Sequence, residues 1–330
     1  LFQESAKTVM DKCIGPLVPF NVFYDALYNF LDHSHKVVID RAWENSHVNP
    51  EKREDCFTVN VLKVLFMIKY VNQVESNLEN ITTLMIPDID TDRIALRAEV
   101  ERALDVLVRQ KFVEREGDLY VFLTNEEQEI SREIDKMPVE MSDVISKVAQ
   151  LIFEEAYKER RYRYPAHSGR YSFAFNQLID DYVYKGNQTN DIGVHVLTPN
   201  AAVSNEEMVL RMMSGQGQEV LVVLPNDVSF LNELRSALKI ENYLQRESMA
   251  SNTAQRFAKI REAKRSEMNR RDKRGLVALV DALREADIYV NGDKLETSAK
   301  DVGARINEAL GKLVSTVYHK LPYADTAMNE

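Results

Sequence analysis

Residues 81–123 read ITTLMIPDIDTDRIALRAEVERALDVLVRQKFVEREGDLYVFL, and their order decides the fold of the front part of the chain. Ile81-Thr82-Thr83-Leu84-Met85-Ile86 is a short element closed by Pro87. A helix opens at Asp90 or Asp92, both good N-cap residues. Its apolar positions Leu96, Val100, Ala103, Leu104, Leu107 and Val108 recur at three- and four-residue spacing and form one face. Two strand-like runs follow, Lys111–Arg115 and Leu119–Leu123, joined by Glu116-Gly117-Asp118, a hairpin signal. Two helical pieces, a longer helix, then a hairpin is the layout of a winged helix.

Upstream, Phe20, Phe23, Tyr24, Leu27, Phe30 and Leu31 make one helical face, and Val61, Leu62, Leu65, Phe66 and Ile68 another. The polar stretch Asn45–Asp55, with Asn49-Pro50, reads as a loop. Downstream, Glu126–Tyr157 is amphipathic helix broken at Pro138. The pattern then changes to Tyr171–Phe175, Ile192–Leu197 and Glu219–Leu224, short runs rich in aromatic and β-branched residues. A helix over Asn205–Met213, capped by Ser204 or Asn205, lies between the last two and implies a small α/β sheet. Val228–Ala286 reads as long helix, with Leu231, Leu234, Leu238 and Leu244 apolar. Its middle, Ser251–Gly275, has few large apolar residues and is expected to stand out as an exposed arm. Asn291-Gly292 marks a second hairpin, and a last helix spans Lys300–His319.

The expected fold is therefore mainly α with α+β parts: a helical region (1–75), a winged helix (76–125), connecting helices (126–158), a small α/β domain (159–227 with 286–330) and a long helical arm (228–285). The chain starts at Leu1 inside what already reads as helix, so it is expected to be cut from a longer protein. No apolar run approaches the roughly 20 residues of a membrane helix, and no signal peptide opens it. Cys13 and Cys56 form neither a disulfide framework nor zinc spacing, and a cytoplasmic location is expected.

Charge divides the chain. Residues 1–150 carry 17 Lys/Arg against 27 Asp/Glu, while residues 151–330 carry 25 of each, so the net charge of −10 lies in the first part. Phosphate contact displaces counterions with cationic side chains, so any nucleic-acid surface belongs to the second part. Two clusters qualify there. Lys158-Glu159-Arg160-Arg161-Tyr162-Arg163-Tyr164 mixes cations with aromatics, a composition for phosphate contact and base stacking, though a positive helix end reads the same way. The second is Arg256, Lys259, Arg261, Lys264, Arg265, Arg270, Arg271, Lys273 and Arg274, nine cations against Glu262, Glu267 and Asp272. A solvated helix face is the alternative reading. The long helix of the winged helix sets Arg93, Arg97, Arg102 and Arg109 among Asp92, Glu99, Glu101 and Asp105, which favours protein contact over base readout.

No catalytic centre stands out. GxxxxGK[ST] is absent, and Gly215-Gln216-Gly217 follows a helix rather than opening one, so Gly215 fits a helix C-cap. His33 and His35 are two apart on a helix and do not face one another. Asp180-Asp181, Asp191 and Glu219 sit near strands but lack the lysine expected beside nuclease carboxylates. No metal or other cofactor is expected within this chain.

Several long strings are similar to the BREX phage-defence P-loop ATPases, the BrxC and PglY class. They include Pro19-Phe20-Asn21-Val22-Phe23-Tyr24-Asp25-Ala26-Leu27, Val121–Ile130, Lys185–Val194, Met213–Gly217 and Ala286–Lys294. The resemblance implies a large ATPase restricting phage DNA together with other BREX proteins, with an AAA-like module, and its ATP and magnesium, upstream of Leu1. It also implies a non-catalytic segment that couples that module to double-stranded DNA or to partner subunits, with homo-oligomers formed through the module. A protein-assembly segment that never touches nucleic acid is the alternative.

Overall fold

A computed structural model describes residues 15–31, 33–71, 73–165, 170–203, 206–249 and 258–321. The chain divides between Lys136 and Met137 into two compact units.

The first unit is helical with one hairpin. Its helices are α1 (Val22–Leu27), α2 (His33–Glu44), α3 (Phe57–Ile68), α4 (Leu78–Leu84), α5 (Arg93–Arg109) and α6 (Asn125–Asp135). β1 (Val113–Glu116) and β2 (Leu119–Phe122) pair antiparallel between α5 and α6. Asp92 is the cap of α5, its carboxylate accepting from the backbone N–H groups of Ile94 and Ala95. The helix buries Leu96, Val100, Ala103, Leu104 and Leu107, the apolar face expected from sequence. Those side chains meet Val61, Leu62 and Leu65 of α3 and Val113 and Phe122 of the hairpin in one core. A two-residue connection puts Gly117 at φ +62°, the left-handed region that glycine enters without Cβ strain. Thr124 starts α6 with a reciprocal capping box to Glu127. Pro138 lies just past the end of α6, where the chain passes from one unit to the next.

The second unit is built on a six-stranded mixed sheet, in the order β10-β9-β8-β7-β5-β6. The strands are β5 (Asn176–Ile179), β6 (Tyr182–Val183), β7 (Gly193–Leu197), β8 (Glu219–Val223), β9 (Asp287–Val290) and β10 (Asp293–Lys294). β5, β7 and β8 run parallel, and the two edges are antiparallel hairpins. At the Asn291-Gly292 turn both residues have positive φ, +56° and +86°, as a two-residue hairpin of right-handed strands requires. A separate ribbon pairs β3 (Arg161–Arg163) with β4 (Ser172–Ala174). Tyr171–Phe175 was therefore only half legible: its centre pairs in this ribbon. The sheet strand is the next segment, 176–179, whose Asn176 and Gln177 mask the strand pattern.

One face of the sheet is deeply covered. Val194, Val196, Val220, Val222, Ile288 and Val290 pack there against α7 (Met141–Leu151), α9 (Ser229–Met249), α10 (Ala258–Glu285) and α11 (Val302–Val317). The opposite face holds a smaller cluster, in which Leu210 of α8 (Glu207–Gln216) meets Leu197, Leu221 and Tyr289. Strand alternation sends the valines to one side and His195, Leu221 and Tyr289 to the other.

Two expectations are corrected. Residues 228–286 are not one helix with an exposed middle but two helices packed along each other, and α10 buries Lys264 and Glu267. Few large apolar residues did not mean exposure, because paired charges fill the seam. Gly215 is not the C-cap of α8: Gly217 is, its N–H bonding Met213 O at 3.0 Å. Gly215 lies in the last helical turn, where a Cβ would come 3.6 Å from Gly292 Cα. Ser204 and Asn205, the expected caps of this helix, lie outside the described residues, as do Cys13, Asp32 and the side chains of His33 and His35.

Candidate nucleic-acid interface

The segment 158–163 is positioned by the end of α7. That helix widens into one π turn, Ile152–Ala156, and the Tyr157 N–H closes it on Ile152 O at 2.6 Å. Tyr157 is buried, and its hydroxyl donates to Asn307 Oδ1 of α11 at 2.8 Å. β3 then alternates: Tyr162 points inward, while Arg161 and Arg163 point outward. Gly311 lets α11 approach this strand, since a Cβ there would lie 2.8 Å from the Tyr162 hydroxyl oxygen.

Between β3 and α11 opens a cleft of about 1050 Å3. Lys158, Arg160, Arg161 and Arg163 line one side with Glu159, and Asn307 and Glu308 line the α11 side. The Arg161 guanidinium donates to Ser172 Oγ at 3.1 Å and Ser172 O at 2.8 Å, which fixes its direction. Lys158 forms an exposed pair with Glu155 at 3.3 Å. Among the described residues no ion pair forms at Arg160, Arg161 or Arg163. Tyr162, read from sequence as a stacking surface, is instead 5% exposed. Burial raises its hydroxyl pKa, so it stays a neutral core side chain.

The second cluster separates on folding, and Arg256 lies outside the described residues. Lys264 Nζ donates to Glu267 Oε2 at 2.7 Å, and Arg271 Nε donates to Glu267 Oε1 at 2.7 Å. Arg271 and Arg274 also reach Glu233 of α9, at 3.3 and 3.1 Å. Burial opposes the charge of Glu267, but Lys264 and Arg271 outweigh it and hold the carboxyl below its ordinary range. Gly275 permits this close seam, since a Cβ there would lie 2.8 Å from Leu234 Cδ2. Arg265 pairs with Glu262 at 3.2 Å on the surface. Arg261 is half-buried, and Lys259, Arg270 and Lys273 are exposed. At 3.6 residues per turn these last three share one outward strip. The nine cations of the sequence thus yield a strip of three, and Lys264, Arg271 and Arg274 serve the helix pair.

Sequence reasoning passed over His195. Its Nδ1 lies 3.1 Å from Glu219 Oε2, and its Nε2 lies 2.7 Å from the Asp180 carbonyl oxygen. Both neighbours are acceptors, a setting for the imidazolium. Burial works against that charge, but Glu219 and Asp180 outweigh it and raise the pKa above the ordinary histidine value. Asp180, at φ +48°, accepts from the Thr198 N–H and hydroxyl, both at 2.7 Å. The only sequence signal was alternation, which places His195 opposite Val194 and Val196. Asp191 accepts from the Tyr318 hydroxyl at 2.9 Å. The carboxylates of Asp180, Asp191 and Glu219 therefore engage Thr198, Tyr318 and His195 respectively, and no cluster of three metal-ligand side chains forms among the described residues.

A family model described as the fourth domain, with six-stranded β-sheet, of the BREX ATP-binding protein BrxC matches residues 137–313. The match begins at the first residue of the second unit and takes in all six strands of its sheet. No solved structure matches the chain.

Proposed function

Because the chain belongs to the BrxC family of BREX ATP-binding proteins, and so to a BREX defence system, we propose that it is a non-catalytic coupling segment that holds nucleic-acid phosphates on its second unit. The observation that carries this is the convergence of Lys158, Arg160, Arg161 and Arg163 on one cleft. The outward strip of Lys259, Arg270 and Lys273 adds a second cationic surface. ATP and magnesium would belong to a separate module of the parent protein, other BREX proteins would be the partners, and the setting would be cytoplasmic. No helix among the described residues is long and apolar enough to cross a membrane.

The test is duplex DNA binding by fluorescence anisotropy across a salt series. Each phosphate contact contributes about 0.9 to the slope of log affinity against log salt. Reversing Arg160 and Arg163 to Glu should weaken binding and flatten that slope by about two. Reversing Lys259 and Lys273 should flatten it further. An unchanged slope in both variants overturns the proposal.

A second reading, protein assembly, is favoured for the first unit. We read α4, α5 and the β1–β2 hairpin as a winged helix whose recognition helix is poorly suited to DNA. Arg93 and Arg97 both bond Glu79, at 3.4 and 2.6 Å, while Ile94 beside them is 83% exposed. An apolar residue flanked by neutralised arginines fits a protein surface. Ile94→Asp should weaken association with other BREX proteins in a pull-down and leave DNA affinity unchanged.

A further inference from the structure

We infer that the cleft between β3 and α11 prefers a terminal phosphate of a nucleotide, on a strand end or on a free mononucleotide, to the phosphodiesters of a duplex flank. This rests on the reading of the cleft as a phosphate site and narrows it. Size is the first argument: about 1050 Å3 is close to the upper range of small-molecule pockets, and such sites enclose single ligands.

The second argument is the mixed sign of the walls. A duplex flank presents a continuous row of singly charged phosphodiesters, and some of these would lie against Glu159 or Glu308. A terminal phosphate gathers about −1.5 to −2 charges into one group. Three guanidiniums can close on that group with paired N–H donors. The sugar beyond it is neutral, and a ribose, in RNA or in a free ribonucleotide, brings a 2′-hydroxyl donor that a carboxylate accepts.

Third, those carboxylates are held in place. Glu308 Oε2 accepts from the Thr297 hydroxyl at 2.5 Å, and Glu159 Oε1 accepts from Asn307 Nδ2 at 3.1 Å. Asn307 is in turn fixed by the Tyr157 hydroxyl. Each carboxylate keeps a second oxygen for a ligand hydroxyl. Because the Tyr162 ring is buried, the cleft offers no stacking platform there, and base identity should matter little.

The experiment compares, on the full chain, a fluorescent single strand with a phosphorylated end, the same strand with a hydroxyl end, and a covalently closed duplex without ends. Adenosine monophosphate and inorganic phosphate serve as competitors. The phosphorylated strand should bind about ten-fold tighter than the hydroxyl strand, and Arg160→Gln with Arg163→Gln should abolish the difference. Arg160→Lys with Arg163→Lys, which keeps the charge but removes the planar fork, should reduce the preference for the phosphorylated end. Competition by the mononucleotide identifies a free nucleotide as a sufficient ligand; competition only by the strand end assigns the site to strand termini. Equal affinity for both strand ends, alongside normal binding of the closed duplex, overturns this inference and leaves the phosphate-binding proposal standing. No binding of any of the three overturns both.

Discussion

At Glu267 two cations close on one buried carboxylate: the Glu267 side chain is 3% exposed and that of Lys264 6%. Removing one member of such a group leaves the others charged in a poor solvent. Glu267→Ala should therefore destabilise the second unit by about 3–5 kcal/mol in urea denaturation. Replacing the group by packed apolar side chains (Lys264→Met, Glu267→Leu and Arg271→Met together) should be neutral or stabilising by about 1–4 kcal/mol. If the group is structural, the triple variant also keeps its DNA affinity. A fall in DNA affinity with stability intact would instead return Lys264 and Arg271 to the interface. None of this was legible beforehand, because Lys264, Glu267 and Arg271 at three- and four-residue spacing read identically on an exposed and on a buried helix face. Tyr162 misled in the opposite direction. Its neighbours advertise a nucleic-acid surface, yet strand alternation turns the ring inward, and the one-residue offset between ring and guanidinium was invisible until the strand was placed.

Among the elements, β7 and β8 carry a pH-sensitive pair on the thinly covered face of the sheet. The groups facing His195 there are Glu219 and Asp180, with Asp181 nearby in sequence and in charge, and the pair is close enough to favour the imidazolium. The unfolded histidine titrates near about 6.5, and the folded one above that. Protonation therefore stabilises the fold, fully below about pH 6.5, and the contribution is lost as pH rises through the folded pKa. Denaturation midpoints followed from about pH 6 to about pH 9 should fall for the native chain. His195→Gln should flatten that fall, and equal profiles for the two would remove the imidazolium from the account. Legibility also varied by element. The Asn291-Gly292 hairpin and the face of α5 were written in local chemistry, in positive-φ residues and in a 3.6-residue period. β5 was not, because its sequence Asn-Gln-Leu-Ile opens on two polar residues held by local bonds: the Asn176 side chain donates to the Asn190 carbonyl, and the Gln177 backbone N–H donates to the Gln188 side chain.

Taken as a whole, the chain keeps its two cores apart in sequence: every residue of one lies at or before Phe122, and every residue of the other at or after Val144. The division was only partly legible. Pro138 marked a helix break, but the following helix read as a connector, whereas Val144, Ile145 and Val148 of α7 are buried with the sheet. Nothing local distinguishes a linking helix from one whose apolar face belongs to a distant strand. A core that is complete within one segment requires no other segment for its burial. Residues 137–330 expressed alone should therefore unfold cooperatively, with a single denaturant transition and dispersed amide resonances. The same segment also carries the cleft and the α10 strip, while the excess of acidic residues lies in the first 150. Freed of that acidic part, it should bind duplex DNA at least as tightly as the full chain at low salt, because screened repulsion between the phosphates and the front unit is removed. Weaker binding by the isolated segment, with its cooperative unfolding preserved, would show that the first unit supplies contacts of its own and would move the interface out of the cleft.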